Sequence, residues 1–228
     1  MTAKRRIAVI GLNTFGHALM HSLTEHGLDC LGLDSSRDVV QVMATEFPSV
    51  MEIDATYEDA LIAAGVKEYD LAVVTLGTDI AASVLATLAV KNIGVPKVAA
   101  KARDNQHAEV LRRVGADIII FPERDSADRL AQMMLFIGMQ DVQAITHGFS
   151  LAKAPPLPEM VGVPLRQSVL RSRFSLNLVL IKHADGAKTV PDADYILKAD
   201  DMLYLVGWDK SLGHYSNALS AKKGHGHS

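Results

Sequence analysis

Gly11, Asn13 and Gly16 occupy the three defining positions of a turn that can bind phosphate. The apolar run IAVI (7–10) precedes this turn and a helix-like segment follows it, which is the context a G-x-G-x-x-G dinucleotide fingerprint requires. Gly11 would permit the sharp turn, and Gly16 would permit close packing of the helix on the strand. Free amide groups at the start of the helix would then face the ligand, so the turn predicts a phosphate-binding site.

Asn13 departs from the fingerprint, because the middle position is normally glycine. Asparagine is one of the few other residues that tolerate a positive φ, and its side-chain amide can donate to a phosphate oxygen. We therefore expect binding to survive with an altered affinity or preference. The alternative is a turn that keeps its fold and has lost its ligand.

Acidic residues follow the next two apolar runs. Asp34 ends the run CLGL (30–33), 18 residues after Gly16, where a carboxylate would accept hydrogen bonds from ribose hydroxyls and repel a 2′-phosphate. This favours NAD over NADP, although a turn or cap residue at Asp34 is an alternative. Asp54 ends the third run and is predicted either to cap the next helix or to approach the sugar and base.

Polar segments also follow the fourth and fifth runs, TLGTD and KARD. Ligands of open parallel sheets bind outside the carboxyl ends of the strands, which is where both segments would lie. Lys101 and Arg103 both belong to this extended segment, and we expect only one of them to face the cleft.

Six short apolar runs alternate with helix-like segments in the first half of the chain. The predicted strands are 7–10, 30–33, 50–53, 71–76, 97–100 and 117–121, and the predicted helices are 14–26, 38–47, 57–64, 79–92 and 106–114. This alternation is typical of βαβ units with a parallel sheet. We predict an α/β fold, a Rossmann-like doubly wound parallel sheet followed by a small α+β C-terminal domain.

The second half of the chain lacks this regular alternation of strands and helices. A helix is expected from an N-cap at Ser126 to Met139, and its apolar stretch LAQMMLFIGM indicates contact with a partner chain, hence at least a dimer. After a proline-rich stretch we predict a short helix at 165–170, strands at 176–183 and 201–207, and a helix at 210–219. The predicted domains are 1–140 and 141–219, with a disordered tail at 220–228.

The composition excludes several classes of protein. The 228 residues carry a net charge of −3, which does not fit a nucleic-acid-binding face. The single cysteine, Cys30, forms no intrachain disulfide, and the richest apolar stretch (80–90) is too short to span a bilayer. No Tyr-x-x-x-Lys or histidine–acid arrangement follows the strands, which argues against an oxidoreductase.

Several of these stretches together resemble one family. They are IAVIGLNTFGHALM, GLDSS, IDATYEDAL, LAVVTLGTDIAASVLATLAVKNIGVPKVAAKARD and VLRRVGADIIIFPERDSADRLAQMM. The resemblance, which extends over about 5–208, is to the TrkA/KtrA family of cytosolic RCK-domain subunits that regulate bacterial potassium transporters. It implies a nucleotide-binding N-terminal domain, a crossover helix that pairs subunits, and a C-terminal dimerising domain.

The resemblance also implies ligands and partners. ATP and ADP, or NAD and NADH, would shift a homo-oligomer, from a dimer up to a ring of eight, between shapes. The ring would lie in the cytoplasm at the inner face of the cell membrane, under a Ktr- or Trk-type membrane subunit. No nucleic acid is expected as a partner, and no enzymatic activity.

By resemblance, the candidate nucleotide site consists of Gly11, Asn13, Thr14, Phe15, Gly16, Asp34, Ser35, Asp54, Ala55, Thr56, Leu76, Gly77, Lys101 and Arg103. Lys101 would approach phosphate, and Glu123 would meet a divalent cation (Mg or Ca) at a subunit contact. ATP-responsive members have Gly-Arg-Phe-Gly in the turn, where this chain has Asn13 and Thr14. Arg171 matches one arginine of a cyclic di-AMP site in some members, although the apolar pair before it is Leu165-Arg166 here.

Three functions are compatible with these residues. The resemblance favours a nucleotide-sensing regulatory subunit. A small NAD-dependent oxidoreductase and a ligand-free assembly scaffold are the alternatives.

Overall fold

The computed structural model describes residues 5–77 and 79–223. The chain forms two compact units, Met1–Glu123 and Arg124–Ser228. In the described ranges, no helix combines the length and apolar character of a membrane span.

The first unit is a six-stranded parallel sheet with the strand order β3-β2-β1-β4-β5-β6. The strands are β1 (Arg6–Ile10), β2 (Asp29–Asp34), β3 (Val50–Glu52), β4 (Leu71–Val74), β5 (Lys97–Lys101) and β6 (Ile118–Ile120). The helices between them are α1 (Thr14–Glu25), α2 (Arg37–Met43), α3 (Glu58–Ala63), α4 (Ile80–Asn92) and α5 (Asn105–Arg113). This order confirms the predicted Rossmann-like doubly wound fold, in which ligands bind where the strand order reverses.

Both faces of the first sheet are buried, which explains why its strands read as continuous apolar runs. Successive side chains of a strand point to opposite faces. Ala8 and Ile10 of β1 therefore belong to one apolar cluster, while Ile7 and Val9 belong to another that includes Met20 of α1. The double burial fixes β1, and with it the turn that starts at Gly11.

The second unit contains an antiparallel sheet with the strand order β10-β9-β11-β8-β7. Its strands are β7 (Gln140–Thr146), β8 (Phe149–Ala154), β9 (Asn177–Lys182), β10 (Lys188–Thr189) and β11 (Met202–Trp208). The helices α7 (Leu170–Phe174) and α8 (Asp209–Lys223) belong to the same unit, and α6 (Pro122–Leu135) begins at the end of the first. This confirms the small α+β part of the predicted fold.

Several elements differ from the expectations. The N-cap predicted at Ser126 is wrong, because α6 already begins at Pro122, and proline is favoured in the first turn of a helix. The strands β7, β8 and β10 were not predicted. The helix expected at 165–170 is a 3-10 turn, Leu165–Gln167, followed by α7. Helix α8 continues to Lys223, and residues 224–228 of the predicted tail lie outside the described residues.

Candidate functional site

The backbone of the β1–α1 turn requires both of its glycines. Gly11 has a φ of +93°, in the left-handed region that favours glycine. A Cβ atom on Gly16 would lie only 2.0 Å from the Gly11 carbonyl oxygen. The sharp turn and the close approach of helix to strand therefore depend on these two positions.

Hydrogen bonds from Thr75 connect this turn to the end of β4. Its side chain is fully buried, and its hydroxyl lies 2.5 Å from the Gly11 carbonyl oxygen and 3.1 Å from that of Ile10. Sequence reasoning missed Thr75. The one signal was a polar residue at the end of the apolar run LAVVTL.

Asn13 is the N-cap of α1, and its φ is −64° rather than the positive value considered above. Its side-chain Oδ1 accepts hydrogen bonds from the backbone N–H groups of Phe15 and Gly16, both at 3.1 Å. Its Nδ2 donates to the Thr75 carbonyl oxygen at 2.8 Å, so the expected donation to phosphate is not the contact observed. The asparagine thus bonds to the amides that a phosphate would otherwise meet.

Asp34 is held at the end of β2 by backbone amides. Its Oδ2 accepts from Leu12 N–H at 2.7 Å, and its Oδ1 accepts from Ser36 N–H at 2.9 Å. Each carboxylate oxygen has two lone pairs, so one on each oxygen is left for a ligand hydroxyl. This fixed, half-buried carboxylate suits the predicted ribose contact.

Asp54 orders the turn that follows β3. Its Oδ1 accepts from the backbone N–H of Thr56 at 3.0 Å and from the Thr56 hydroxyl at 2.7 Å. The predicted helix cap is wrong, because the N-cap of α3 is Tyr57, which makes no side-chain cap bond.

A cleft of about 160 Å³ lies at the carboxyl end of the first sheet. Seven predicted residues line it: Gly11, Asp34, Ser35, Asp54, Ala55, Thr56 and Leu76. Asp79, which was not among the predicted site residues, also lines it and caps α4 by accepting from Ala82 N–H at 2.9 Å. Its position in TLGTD, directly after a strand, was the signal available in the sequence.

Lys101, Phe15, Gly77 and Glu123 form a second group of predicted residues. Lys101 Nζ lies 2.5 Å from Glu123 Oε1 and 5.7 Å from the centre of the Phe15 ring. A Cβ atom on Gly77 would lie 3.3 Å from the Lys101 methylenes. The Lys101 side chain is 13% exposed and that of Glu123 72% exposed, so the lysine lies mainly inside and the carboxylate mainly in solvent.

The hydrogen bond from Lys101 holds the pKa of Glu123 below its usual value. A cation at Glu123 would have to compete with this ammonium group. Among the described residues, no three histidine, cysteine or acidic side chains cluster closely enough to hold a metal ion.

Arg103 is exposed and lies beyond the end of β5, whose last residue is Lys101. Its Nε lies 3.0 Å from Asp104 Oδ2, and its backbone N–H donates to His107 Nδ1 at 3.2 Å. The His107 backbone N–H and the Arg103 side chain hold the pKa of Asp104 below its usual value. Arg103 is therefore engaged in the loop that starts α5.

A separate pocket of about 330 Å³ lies in the second unit, and Leu165, Arg166 and Arg171 line it. Arg171 donates to Asn177 Oδ1 at 3.0 Å. The residues compared above with a cyclic di-AMP site thus lie together.

The family models match both halves of the chain. The TrkA-N domain model matches residues 7–122, and the TrkA-C domain model matches residues 151–220. The chain is 31% identical over 204 residues to Ktr system potassium uptake protein C of Bacillus subtilis, covering 90% of this chain and 92% of that protein. It is 29% identical over 218 residues to Ktr system potassium uptake protein A of Vibrio alginolyticus, covering 96% and 99%.

A solved structure has the same fold. The GsuK channel bound to NAD aligns with a TM-score of 0.58 at 18% identity, covering 92% of this chain and 38% of the channel chain. This chain therefore spans well under half of that channel subunit. The matches to both domain models and to the Ktr relatives show that the chain belongs to the TrkA/KtrA family, the family of the Ktr potassium uptake proteins.

Proposed function

We propose that this chain is a nucleotide-sensing regulatory subunit of a membrane potassium uptake system. The observation that carries the proposal is the cleft at the switch point of the first sheet, where seven of the predicted residues meet. Asp34, held by two backbone amides, is the proposed ribose-binding residue.

The proposed ligand is an adenine nucleotide, either ATP and ADP or NAD and NADH. The NAD-bound GsuK channel, which shares the fold, supports this class of ligand. We assign nucleotide binding to residues 1–140 and a C-terminal domain to residues 141–219. A divalent cation (Mg or Ca) at Glu123 would need further ligands from a neighbouring subunit.

Regulation would come from unequal affinity of the nucleotide for two shapes of a homo-oligomer, from a dimer to an octameric ring. A tenfold higher affinity for one shape is worth about 1.4 kcal/mol at each site, and the contributions of several sites on one ring would add together. Exposed apolar side chains on α6, namely Leu130, Met133, Met134 and Leu135, suit a subunit contact. The proposed partner is a Ktr- or Trk-type membrane subunit, with the ring at the cytoplasmic face of the membrane.

One observation favours a ligand-free scaffold as a second candidate. The Asn13 side chain already accepts from two amides of the phosphate turn without any ligand. An oxidoreductase has less support, because the two relatives described above are potassium uptake proteins.

Titration calorimetry of the full chain with ATP, ADP, NAD and NADH separates these functions. We expect at least one nucleotide to bind without turnover, and Asp34→Asn to weaken it about tenfold, or about 1.4 kcal/mol. Asp38→Asn, a change of an exposed carboxylate in the first turn of α2, is the matched control and should leave the affinity unchanged.

Two results would contradict the proposal. Failure of all four nucleotides to bind would favour the scaffold. Hydride transfer from bound NADH to an acceptor would favour the oxidoreductase.

A further inference from the structure

A chain of hydrogen bonds joins three side chains of the second unit. Thr189 Oγ1 lies 2.8 Å from His183 Nε2, and His183 Nδ1 lies 2.9 Å from Asp201 Oδ1. A hydroxyl, an imidazole and a carboxylate in this order have the arrangement of a nucleophile, its general base and the group that orients the base. The histidine–acid pair was not expected from the sequence, because its two residues are 18 positions apart.

The surroundings of Asp201 fix its carboxylate. The residue is only 2% exposed, and its Oδ2 accepts hydrogen bonds from the Lys198 backbone N–H and the Tyr195 hydroxyl, both at 2.9 Å. Burial alone would raise the pKa of Asp201, but these hydrogen bonds and the one from His183 outweigh it and hold the pKa below its usual value. The carboxylate is therefore ionised at neutral pH and already in place before any reagent arrives.

The carboxylate determines which nitrogen of His183 carries the proton. An ionised carboxylate only accepts hydrogen bonds, so the neutral imidazole donates to Asp201 from Nδ1. The other nitrogen, Nε2, is then unprotonated and accepts from the Thr189 hydroxyl. This is the tautomer that a general base requires.

The hydroxyl end of this arrangement is open to solvent. Thr189 is exposed and belongs to β10, the two-residue strand at the edge of the second sheet. The His183 side chain is 19% exposed, whereas that of Asp201 is 1% exposed. A reagent can therefore reach the hydroxyl from solvent, while the charge that supports the imidazole stays buried.

We propose that Thr189 is a modification site whose hydroxyl accepts an acyl group from an activated ester or thioester, with His183 as the general base and Asp201 as its positioning residue. Thr189 Oγ1 bonds to the acyl carbon while its proton passes to His183 Nε2. The bond between the acyl carbon and the oxygen or sulfur of the donor breaks, and that atom leaves with the electron pair and takes the proton from His183. The products are an O-acyl threonine and a free alcohol or thiol.

The expected gain is that of general-base assistance, about 10²–10⁴ in rate. Thr45 provides a comparison within the same chain, because it is also exposed but its hydroxyl donates to the Val42 carbonyl oxygen, at 2.7 Å, instead of to a base. We therefore expect Thr189 to be acylated at least about 100-fold faster than Thr45.

The test treats the full chain with the activated ester p-nitrophenyl acetate at neutral pH. Digestion with pepsin in acid and mass spectrometry of the peptides then measure the acetyl ester on each threonine. Thr189→Val should remove the fast ester and Thr189→Ser should retain it, whereas Thr45→Val, the matched control, should leave it unchanged. His183→Gln should slow the acylation of Thr189 at least about 100-fold.

Asp201→Asn tests the positioning role with a measurement that does not depend on stability. In the unsubstituted chain, the NMR shifts of the His183 ring nitrogens should report a proton on Nδ1 and none on Nε2. Asp201→Asn should populate the other tautomer and slow the acylation of Thr189 about tenfold or more, under conditions where circular dichroism shows that both chains are folded.

Three results would overturn this inference. They are rates at Thr189 and Thr45 that differ by less than about 100-fold, an acetyl group on His183 in place of Thr189, and unchanged acylation of Thr189 in His183→Gln. Each of them would leave the proposed nucleotide site untouched, because the titrations with nucleotides test that site separately.

Discussion

Replacing Gly16 by alanine tests whether the close contact between α1 and β1 holds the first unit together. The new Cβ would lie 2.0 Å from the Gly11 carbonyl oxygen, whereas such contacts are normally at least 3.0 Å. Because the obstacle is backbone, α1 must move by about 1 Å. Overpacking of this kind costs about 1–3 kcal/mol, and the helix preference of alanine offsets at most about 1 kcal/mol. We expect a net loss of about 1–2 kcal/mol in the free energy of unfolding.

The matched control is Gly213→Ala in α8. Gly213 is also helical, but the nearest atom to its added Cβ is at 4.0 Å. This variant should gain up to about 1 kcal/mol from helix preference alone.

Urea unfolding followed by far-UV circular dichroism measures both changes. The single tryptophan, Trp208, belongs to the second unit, so its fluorescence follows that unit in the same samples. The reasoning would be refuted if the free energies of unfolding of Gly16→Ala and of the unsubstituted chain differed by less than about 0.5 kcal/mol, because substitutions at unstrained surface positions have effects of that size.

Two further predictions concern carboxylates. Because Lys101 lowers the pKa of Glu123 from a usual value near 4.5, their pair should stabilise the chain above that pH and lose its contribution as the pH falls through the lowered pKa. The difference in urea midpoint between Glu123→Gln and the unsubstituted chain should therefore shrink below about pH 4, and a difference independent of pH would contradict this. Burial alone would raise the pKa of Asp201, but hydrogen bonds, including one from the Tyr195 hydroxyl at 2.9 Å, outweigh it and lower the pKa. Tyr195→Phe should raise that pKa and lower the free energy of unfolding by about 1.5–3 kcal/mol at neutral pH, with a smaller loss in acid. Urea unfolding followed by Trp208 fluorescence measures this loss at each pH. If the stability of the variant and of the unsubstituted chain fell in the same way with acid, the prediction would be wrong.

The first sheet could be predicted because its strands are buried on both faces. Runs such as LAVV, where three of the four residues are buried, differ plainly from the polar segments around them. The second sheet was harder, because Val142 is the only buried residue of β7. In β8, burial alternates with exposure, but the buried residues are Ser150, Ala152 and Ala154, which give little hydrophobic signal.

Part of the candidate site could be predicted from the sequence, and part could not. Gly11, Gly16 and Asp34 follow a local spacing, so a single stretch of sequence was enough to propose them. The role of Asn13 depends on Thr75, which is 62 residues away, and no local pattern reports that contact. The turn and its acidic residue could therefore be predicted from local spacing, whereas the hydrogen bond from Asn13 to Thr75 could be seen only in the folded structure.

The outermost strands of both sheets offer little backbone for another chain to pair with. In the first sheet, β3 and β6 have three residues each. In the second, β10 has two, and the longer β7 is interrupted by shifts in its register with β8 and by Asp141 at a φ of +47°. Short or distorted margins resist edge-to-edge aggregation. In the proposed homo-oligomer, contacts between copies would therefore use side chains rather than the pairing of strand edges.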